Sequence, residues 1–297
     1  MKVHSWIKAA RPRTLPLALS GTIAGSCLAY ADGGFRWPVL ALAAATAVLL
    51  QVLANLANDY GDFVNGKDKP GRIGPERMVQ AGKITPGAML AGMAVAGTLC
   101  ALSGLALIMY AVKAAALVMA FAVLGLAAMA AAVKYTVGRD PYGYRGLGDP
   151  LVFIFFGLAG VGGTYFLHTL ALRWPVLLPA AAIGFLSAGV LNVNNLRDRE
   201  GDAASGKRTL PVKLGPGRAA VYHALLLACA VACAAAYVLL EPRSRWQWLF
   251  LVSLPQLFLN ARAVLCCRDQ MELRPELQRL SFTTLLFAAA FGLGEML

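Results

Sequence analysis

Residues 38–62 read "PVLALAAATAVLLQVLANLANDYGD". No charge falls between Pro38 and Ala54; then Asn55, Asn58, Asp59 and Asp62 arrive within eight positions. The apolar part suits a membrane-spanning helix. Hydrocarbon penalises carboxylates and carboxamides, so this polar cluster marks the helix's exit from the bilayer. Similar apolar runs, free of charge apart from Arg262 and Glu295, recur along the chain at about 15–31, 38–57, 86–110, 114–133, 150–170, 174–193, 219–240, 246–266 and 280–297. The 297 residues are 59% hydrophobic and 14% charged, too little polar surface to cover a soluble domain of this size. The reading is all-α: a polytopic membrane protein with nine transmembrane helices.

The net charge of +12 is a matter of topology and gives no reason to expect a nucleic-acid partner. Distributing Lys and Arg among the segments between helices places 22 of the 27 on the side of the N-terminus, with only Arg36, Lys113, Arg173, Arg243 and Arg245 opposite. The positive-inside rule then predicts a cytoplasmic N-terminus and an outer C-terminus, with anionic membrane lipids attracted to the basic face. The basic start and the Ala29-Tyr30-Ala31 triplet imitate a signal peptide, but Arg11-Pro12-Arg13 before the apolar run suits a cytoplasmic anchor better. The six cysteines sit in or at the ends of apolar helices without Cys-x-x-Cys spacing, so they read as packing residues.

Two of the inner loops, 58–85 and 194–218, are long and polar, and they hold seven of the 15 acidic residues. Each follows an even-numbered helix, four helices apart. The expectation is one intramembrane domain, 1–297, with a suggestion of two related halves at about 1–133 and 134–297. On a helix turning by about 100° per residue, Asn55, Asn58, Asp59 and Asp62 share an arc of about 100°, with Gln51 one turn deeper. In "NNLRDREGD" (194–202), Asp198 and Asp202 also share a face, and Glu200 points away. Two carboxylate stripes on one side of a membrane repel one another unless a cation sits between them. All-oxygen ligands at this spacing suit Mg²⁺, which takes few carboxylates and leaves room for phosphate oxygens. Downstream lie Lys67, Arg72, Arg77, Lys83, Lys207, Arg208 and Lys213, the cationic half of a diphosphate clamp. The chemistry implied is departure of a diphosphate to leave an allylic cation, with no nucleophilic Ser or Cys required.

At these residues the chain resembles the UbiA-type intramembrane aromatic prenyltransferases. Asn58, Asp59 and Asp62 match the first signature of that family (Asn-Asp-x-x-Asp-x-x-x-Asp), and Asp198 and Asp202 match the second (Asp-x-x-x-Asp). The third Asp of the first signature would fall at Gly66, and the nearest carboxylate is Asp68. "ARPRTLP" (10–16), "NDYGDFVNGKDKPGRIGPERMVQAGKITP" (58–86), "YGYRGLGDPLVFIFFG" (142–157) and "NNLRDREGDAASGKRTLPVKLG" (194–215) are similar to the branch acting on 1,4-dihydroxy-2-naphthoate in menaquinone biosynthesis. The resemblance implies nine helices around a central cavity, Mg²⁺, and transfer of a long chain from polyprenyl diphosphate to that acceptor, with loss of CO₂ to give a demethylmenaquinol.

Carried over by position, Asn58, Asp59, Asp62, Asp198 and Asp202 would hold Mg²⁺ and diphosphate, with the four aspartates catalytic. Arg72, Arg77, Lys134, Arg145 and Lys207 are further candidates for diphosphate contacts. Gln51, Asn55, Tyr135, Tyr144 and Asp149 are candidates on the aromatic-substrate side, where an aromatic face could stabilise a cation. Other acceptors of the superfamily, such as 4-hydroxybenzoate, are the near alternative. From a different class, an ion-coupled transporter would use the stripes as an ion path. Clustering of the carboxylates at one interface speaks against it.

Overall fold

A computed structural model of the protein describes residues 3–68 and 73–297. Among these residues nine helices are long and apolar enough to cross a membrane. They are α1 (Val3–Ala31), α2 (Trp37–Val64), α3 (Pro86–Ala111), α4 (Ala115–Lys134), α5 (Gly148–Thr169), α6 (Trp174–Arg197), α7 (Pro216–Leu240), α8 (Arg245–Leu265) and α9 (Gln270–Met296). All nine expected spans are present, and several run further than hydropathy alone suggested, the ninth from Gln270. The first begins at Val3, the second ends at Val64 and the sixth at Arg197.

Those extensions position the polar residues. The 28 residues of α2 span about 42 Å at about 1.5 Å per residue, well beyond a hydrocarbon core of about 30 Å. Its last turns therefore carry Asn58, Asp59 and Asp62 past the lipid edge while still helical. Gly61 lies within this helix. A Cβ there would stand 2.6 Å from the Thr136 carbonyl oxygen, so glycine lets the segment after α4 lie directly on the stripe. At the end of α6 the backbone hitches at Asp198 (φ −90°, ψ 3°) and resumes as the short helix Arg199–Ala204. The Asp202 amide still donates to the Asp198 carbonyl at 2.8 Å, which keeps both carboxylates on one face.

Two departures from regular helix were not legible beforehand. Arg11, which precedes Pro12, cannot easily adopt the right-handed helical region and sits at φ 50°, breaking α1. In α5, residues Phe153–Gly163 widen into π-helical turns. This Gly-rich stretch packs backbone to backbone; a Cβ on Gly157 would come within 2.5 Å of the Ala180 carbonyl oxygen on α6. The main core surrounds α6, whose Ala180, Ile183, Leu186 and Val193 are almost fully buried, whereas α4 buries no residue. A second cluster joins Ala9, Leu53, Leu56, Met78 and Met89, seating the loop after α2 against the N-terminal segment.

Opposite the stripes, the bundle is tied by charge. Arg173 reaches Asp32 at 3.1 Å and Glu241 at 2.6 Å, the Tyr165 hydroxyl donates to Asp32 at 2.6 Å, and Arg243 also pairs with Asp32. Partial burial disfavours the Asp32 carboxylate, but the donors from Tyr165, Arg243 and Arg173 outweigh it and hold its pKa below the ordinary value.

Candidate active site

Asp62 is the hub of the polar end. Its side chain is 2% exposed, and its Oδ2 accepts from Arg77 Nη2 at 2.6 Å. Its Oδ1 accepts from Lys207 Nζ at 2.8 Å and from the Tyr144 hydroxyl at 2.8 Å. Lys207 Nζ also lies 3.7 Å from Asp202, so one ammonium bridges the stripe of α2 and the stripe beyond α6. It stands 4.9 Å from the centre of the Tyr144 ring, with Lys67 Nζ at 5.7 Å from the same ring. Burial, and then the charge and hydrogen bonding of Asp62, push the Tyr144 hydroxyl well above its ordinary pKa, so it remains a donor. Lys67 also donates to the Ser205 carbonyl at 2.6 Å, tying the two long loops together.

The other carboxylates are held differently. The Asp59 oxygens accept from the backbone amides of Met78 and Val79 at 2.9 and 3.1 Å, anchoring the loop that carries Arg77. Arg197 grips Asp198 through both Nε and Nη2, each at 2.8 Å, and reaches Asn194 at 2.9 Å. Asp68, which stands near the missing third Asp, lies 3.7 Å from Arg77 Nε, so this arginine faces both Asp62 and Asp68. Glu200 has 73% of its side chain exposed and pairs with Arg199, pointing away from the site as the helical projection required.

Several expected site residues do other work. The Asn55 amide donates to the Ala10 carbonyl at 2.9 Å and to Thr14 at 3.0 Å, and Gln51 reaches Thr14 at 3.3 Å. Both are interhelical ties to the N-terminal segment, because the break at Arg11 brings free acceptors within reach of α2. Arg145 is a surface residue whose guanidinium is paired with Asp140. Lys134 is exposed at the end of α4, the helix with least burial. Arg72 lies outside the described residues. Tyr144 belongs to Asp62 and the lysines.

Tyr135 is half-buried and packs edge-on to Tyr142 at 5.5 Å. Burial first, then the charges of Asp149 and Asp202, push its hydroxyl above the ordinary pKa, and the ring lies against Gly143 and Gly148. Asp149 is 4% exposed. Its Oδ1 faces the Tyr222 hydroxyl at 3.3 Å, and its buried Oδ2 has no hydrogen-bond partner among the described residues. Arg197, Thr136 and Tyr222 were not singled out by the sequence, whereas Lys67 was expected among the cations of the clamp. Arg197, adjacent to Asp198, carried the one signal that could have been read.

Among the described residues no three His, Cys, Asp or Glu side chains converge into a ready metal site. The donors nevertheless suit a hard cation shared with a phosphate. They are oxygens only, Asn58 Oδ1 is buried without a partner among the described residues, and the carboxylates face protein cations that a phosphate could draw away. The class defined here is an integral membrane protein whose polar end is built to meet a phosphorylated anion.

The chain belongs to the UbiA prenyltransferase family, whose model matches residues 18–293, and it is a prenyltransferase. It is 44% identical to a Haemophilus influenzae protein named 1,4-dihydroxy-2-naphthoate octaprenyltransferase, over 100% of this chain and 97% of that one. A protein of the same name from Escherichia coli is 45% identical over 100% of this chain and 96% of its own. The fold is similar to the apo structure of a UbiA homolog from Aeropyrum pernix, with a TM-score of 0.72 at 18% identity over 100% of both chains. It is also similar to a UbiA homolog from Archaeoglobus fulgidus bound to GPP and Mg²⁺, with a TM-score of 0.67 at 15% identity over 98% of this chain and 99% of that one.

Proposed function

We propose that this protein transfers a long polyprenyl chain from its diphosphate to 1,4-dihydroxy-2-naphthoate, releasing diphosphate and CO₂ and giving a demethylmenaquinol. The observation that carries the chemistry is the meeting of the two acidic stripes at Lys207, beside Arg77. The full-length similarity to relatives named for the naphthoate reaction supports the acceptor. The equivalent placement of the stripes, four spans apart, supports a single domain with two related halves, about 1–133 and 134–297. The excess of basic residues at the stripe end supports a cytoplasm-facing site in a bacterial inner membrane.

Asn58, Asp62, Asp198 and Asp202 would hold Mg²⁺, with Asp59 keeping the Arg77 loop in place. Mg²⁺ would supply charge neutralisation for the departing diphosphate. Arg77 and Lys207 exchange their carboxylate partners for phosphate oxygens, so their charge is already in place when the carbon–oxygen bond breaks. Arg197 orients Asp198. The Tyr144 ring, beneath Lys207, closes the phosphate side. Tyr135 and Asp149 lie toward the aromatic acceptor, and an aromatic face there stabilises the allylic cation.

The test uses purified protein, Mg²⁺, octaprenyl diphosphate and, in parallel, 1,4-dihydroxy-2-naphthoate and 4-hydroxybenzoate. Release of diphosphate and CO₂ is expected with the naphthoate. Turnover of 4-hydroxybenzoate alone would overturn the acceptor.

A further inference from the structure

Asp149 lies outside both stripes, and its second carboxylate oxygen, Oδ2, is buried without a hydrogen-bond partner among the described residues. Leaving a buried acceptor unmade is costly, and more so when it is charged, so such a group calls for an explanation. Buried atoms on α6 and α7 also lack a partner among the described residues. The Asn192 oxygen sits on a side chain already tied to the Ala219 carbonyl, and His223 Nδ1 is sealed in the helix core at 0% exposure. Neither can take a proton from a ring beside the stripes and later return it. Asp149 can.

Its surroundings on each side are defined. From α7 the Tyr222 hydroxyl faces Oδ1. From the segment after α4, the Tyr135 hydroxyl lies against Gly148, 3.3 Å from where a Cβ would stand. From α6, Leu191 closes the same spot. Asp149 makes no ion pair among the described residues, so no protein cation competes for the carboxylate.

We propose that Asp149 Oδ2 is the proton shuttle of the reaction, accepting the acceptor's ring-hydroxyl proton as the new carbon–carbon bond forms and returning it after CO₂ leaves. This rests on the naphthoate reading above. The prenyl carbon–oxygen bond breaks with its electron pair going to diphosphate. The ring carbon bearing the carboxylate bonds to the prenyl cation, the adjacent hydroxyl proton passes to Oδ2, and the oxygen becomes a carbonyl. The carboxylate now lies β to that carbonyl, and its carbon–carbon bond breaks to release CO₂. That electron pair restores the aromatic ring and the oxygen regains the proton from Oδ2. No net proton is consumed, and no oxidant or reductant is needed. Tyr222 is a positioning residue that holds Oδ1 so that Oδ2 faces the acceptor.

The experiment compares wild type, Asp149→Asn and Tyr222→Phe as full-length protein with Mg²⁺, octaprenyl diphosphate and the naphthoate across pH. General-base catalysis is worth about 10²–10⁴-fold. Asp149→Asn should therefore lose at least about 100-fold in kcat, with KM for octaprenyl diphosphate within about threefold of wild type. The deficit should shrink as rising pH ionises the acceptor in solution. A kcat within threefold of wild type, or a pH-independent loss shared with octaprenyl diphosphate binding, would overturn the proposal. Should Asp149→Asn not fold, Tyr222→Phe decides. Removing a donor to the carboxylate must move the acid limb of kcat/KM to higher pH, and an unmoved limb refutes the role. If wild type turns over a different aromatic acid, the acceptor assignment fails separately, and the same variants are read on that acid.

Discussion

Replacing Lys207 by Met tests whether a protein cation and a metal ion compete for the same carboxylates. The Lys207 ammonium lies 2.8 Å from Asp62 and 3.7 Å from Asp202, and its side chain is 11% exposed while that of Asp62 is 2%. At an effective dielectric of about 20, a contact of this length is worth about 6 kcal/mol of raw attraction. Arg77 still neutralises Asp62 in the variant, and desolvation offsets part of the gain. A net destabilisation of about 2–4 kcal/mol is therefore expected for the metal-free protein. The two stripes would then face each other with one countercharge fewer, so added Mg²⁺ should bind more tightly than in wild type. A tenfold gain in affinity adds about 1.4 kcal/mol of stabilisation at saturating ion. Thermal unfolding in detergent, with and without Mg²⁺, reads both effects. Turnover should fall by about 10²-fold or more, since the charge that meets the leaving group is gone. An unchanged Mg²⁺ response together with turnover within threefold of wild type would refute the reasoning.

Asp62→Asn and Asp198→Asn should abolish diphosphate release while the proteins still insert, whereas Glu200→Gln should keep most activity, because its side chain is exposed and turned away. Gly61→Ala should destabilise by about 1–3 kcal/mol, since the added Cβ meets the Thr136 carbonyl; thermal unfolding measures this. Arg145→Ala should leave KM for polyprenyl diphosphate within about threefold, its guanidinium being engaged by Asp140 at the surface. Asp32 has a folded pKa below its unfolded value, so its contribution is present above about pH 4 and is lost as pH falls through the folded pKa. Asp32→Asn should accordingly be less stable than wild type at neutral pH, with the gap closing on acidification.

The uncharged run before Asn55 was enough to place a spanning helix, because lipid accepts only long apolar segments whose backbone bonds are internal. The same physics located eight more helices, and their flanking charges put both stripes on one side. The face of each stripe was also readable, since a helix repeats about every 3.6 residues whatever surrounds it. Partners across the bundle were not readable in this way. Nothing local tells Arg145, which pairs with Asp140, from Arg77, which pairs with Asp62 some fifteen positions away. Asn55 and Gln51 lie on the correct arc of α2, yet the break at Arg11 supplies their acceptors from α1. Asp59 and Asp62 look equivalent in the motif, but the folded loop gives one to backbone amides and the other to Arg77, Lys207 and Tyr144. The sequence by itself determined which helices cross the membrane and where their carboxylates emerge, because hydropathy and helical periodicity act along the chain. Only the tertiary structure decided which cation meets which carboxylate, and that Asp149 keeps one oxygen free, because those contacts join residues far apart in sequence.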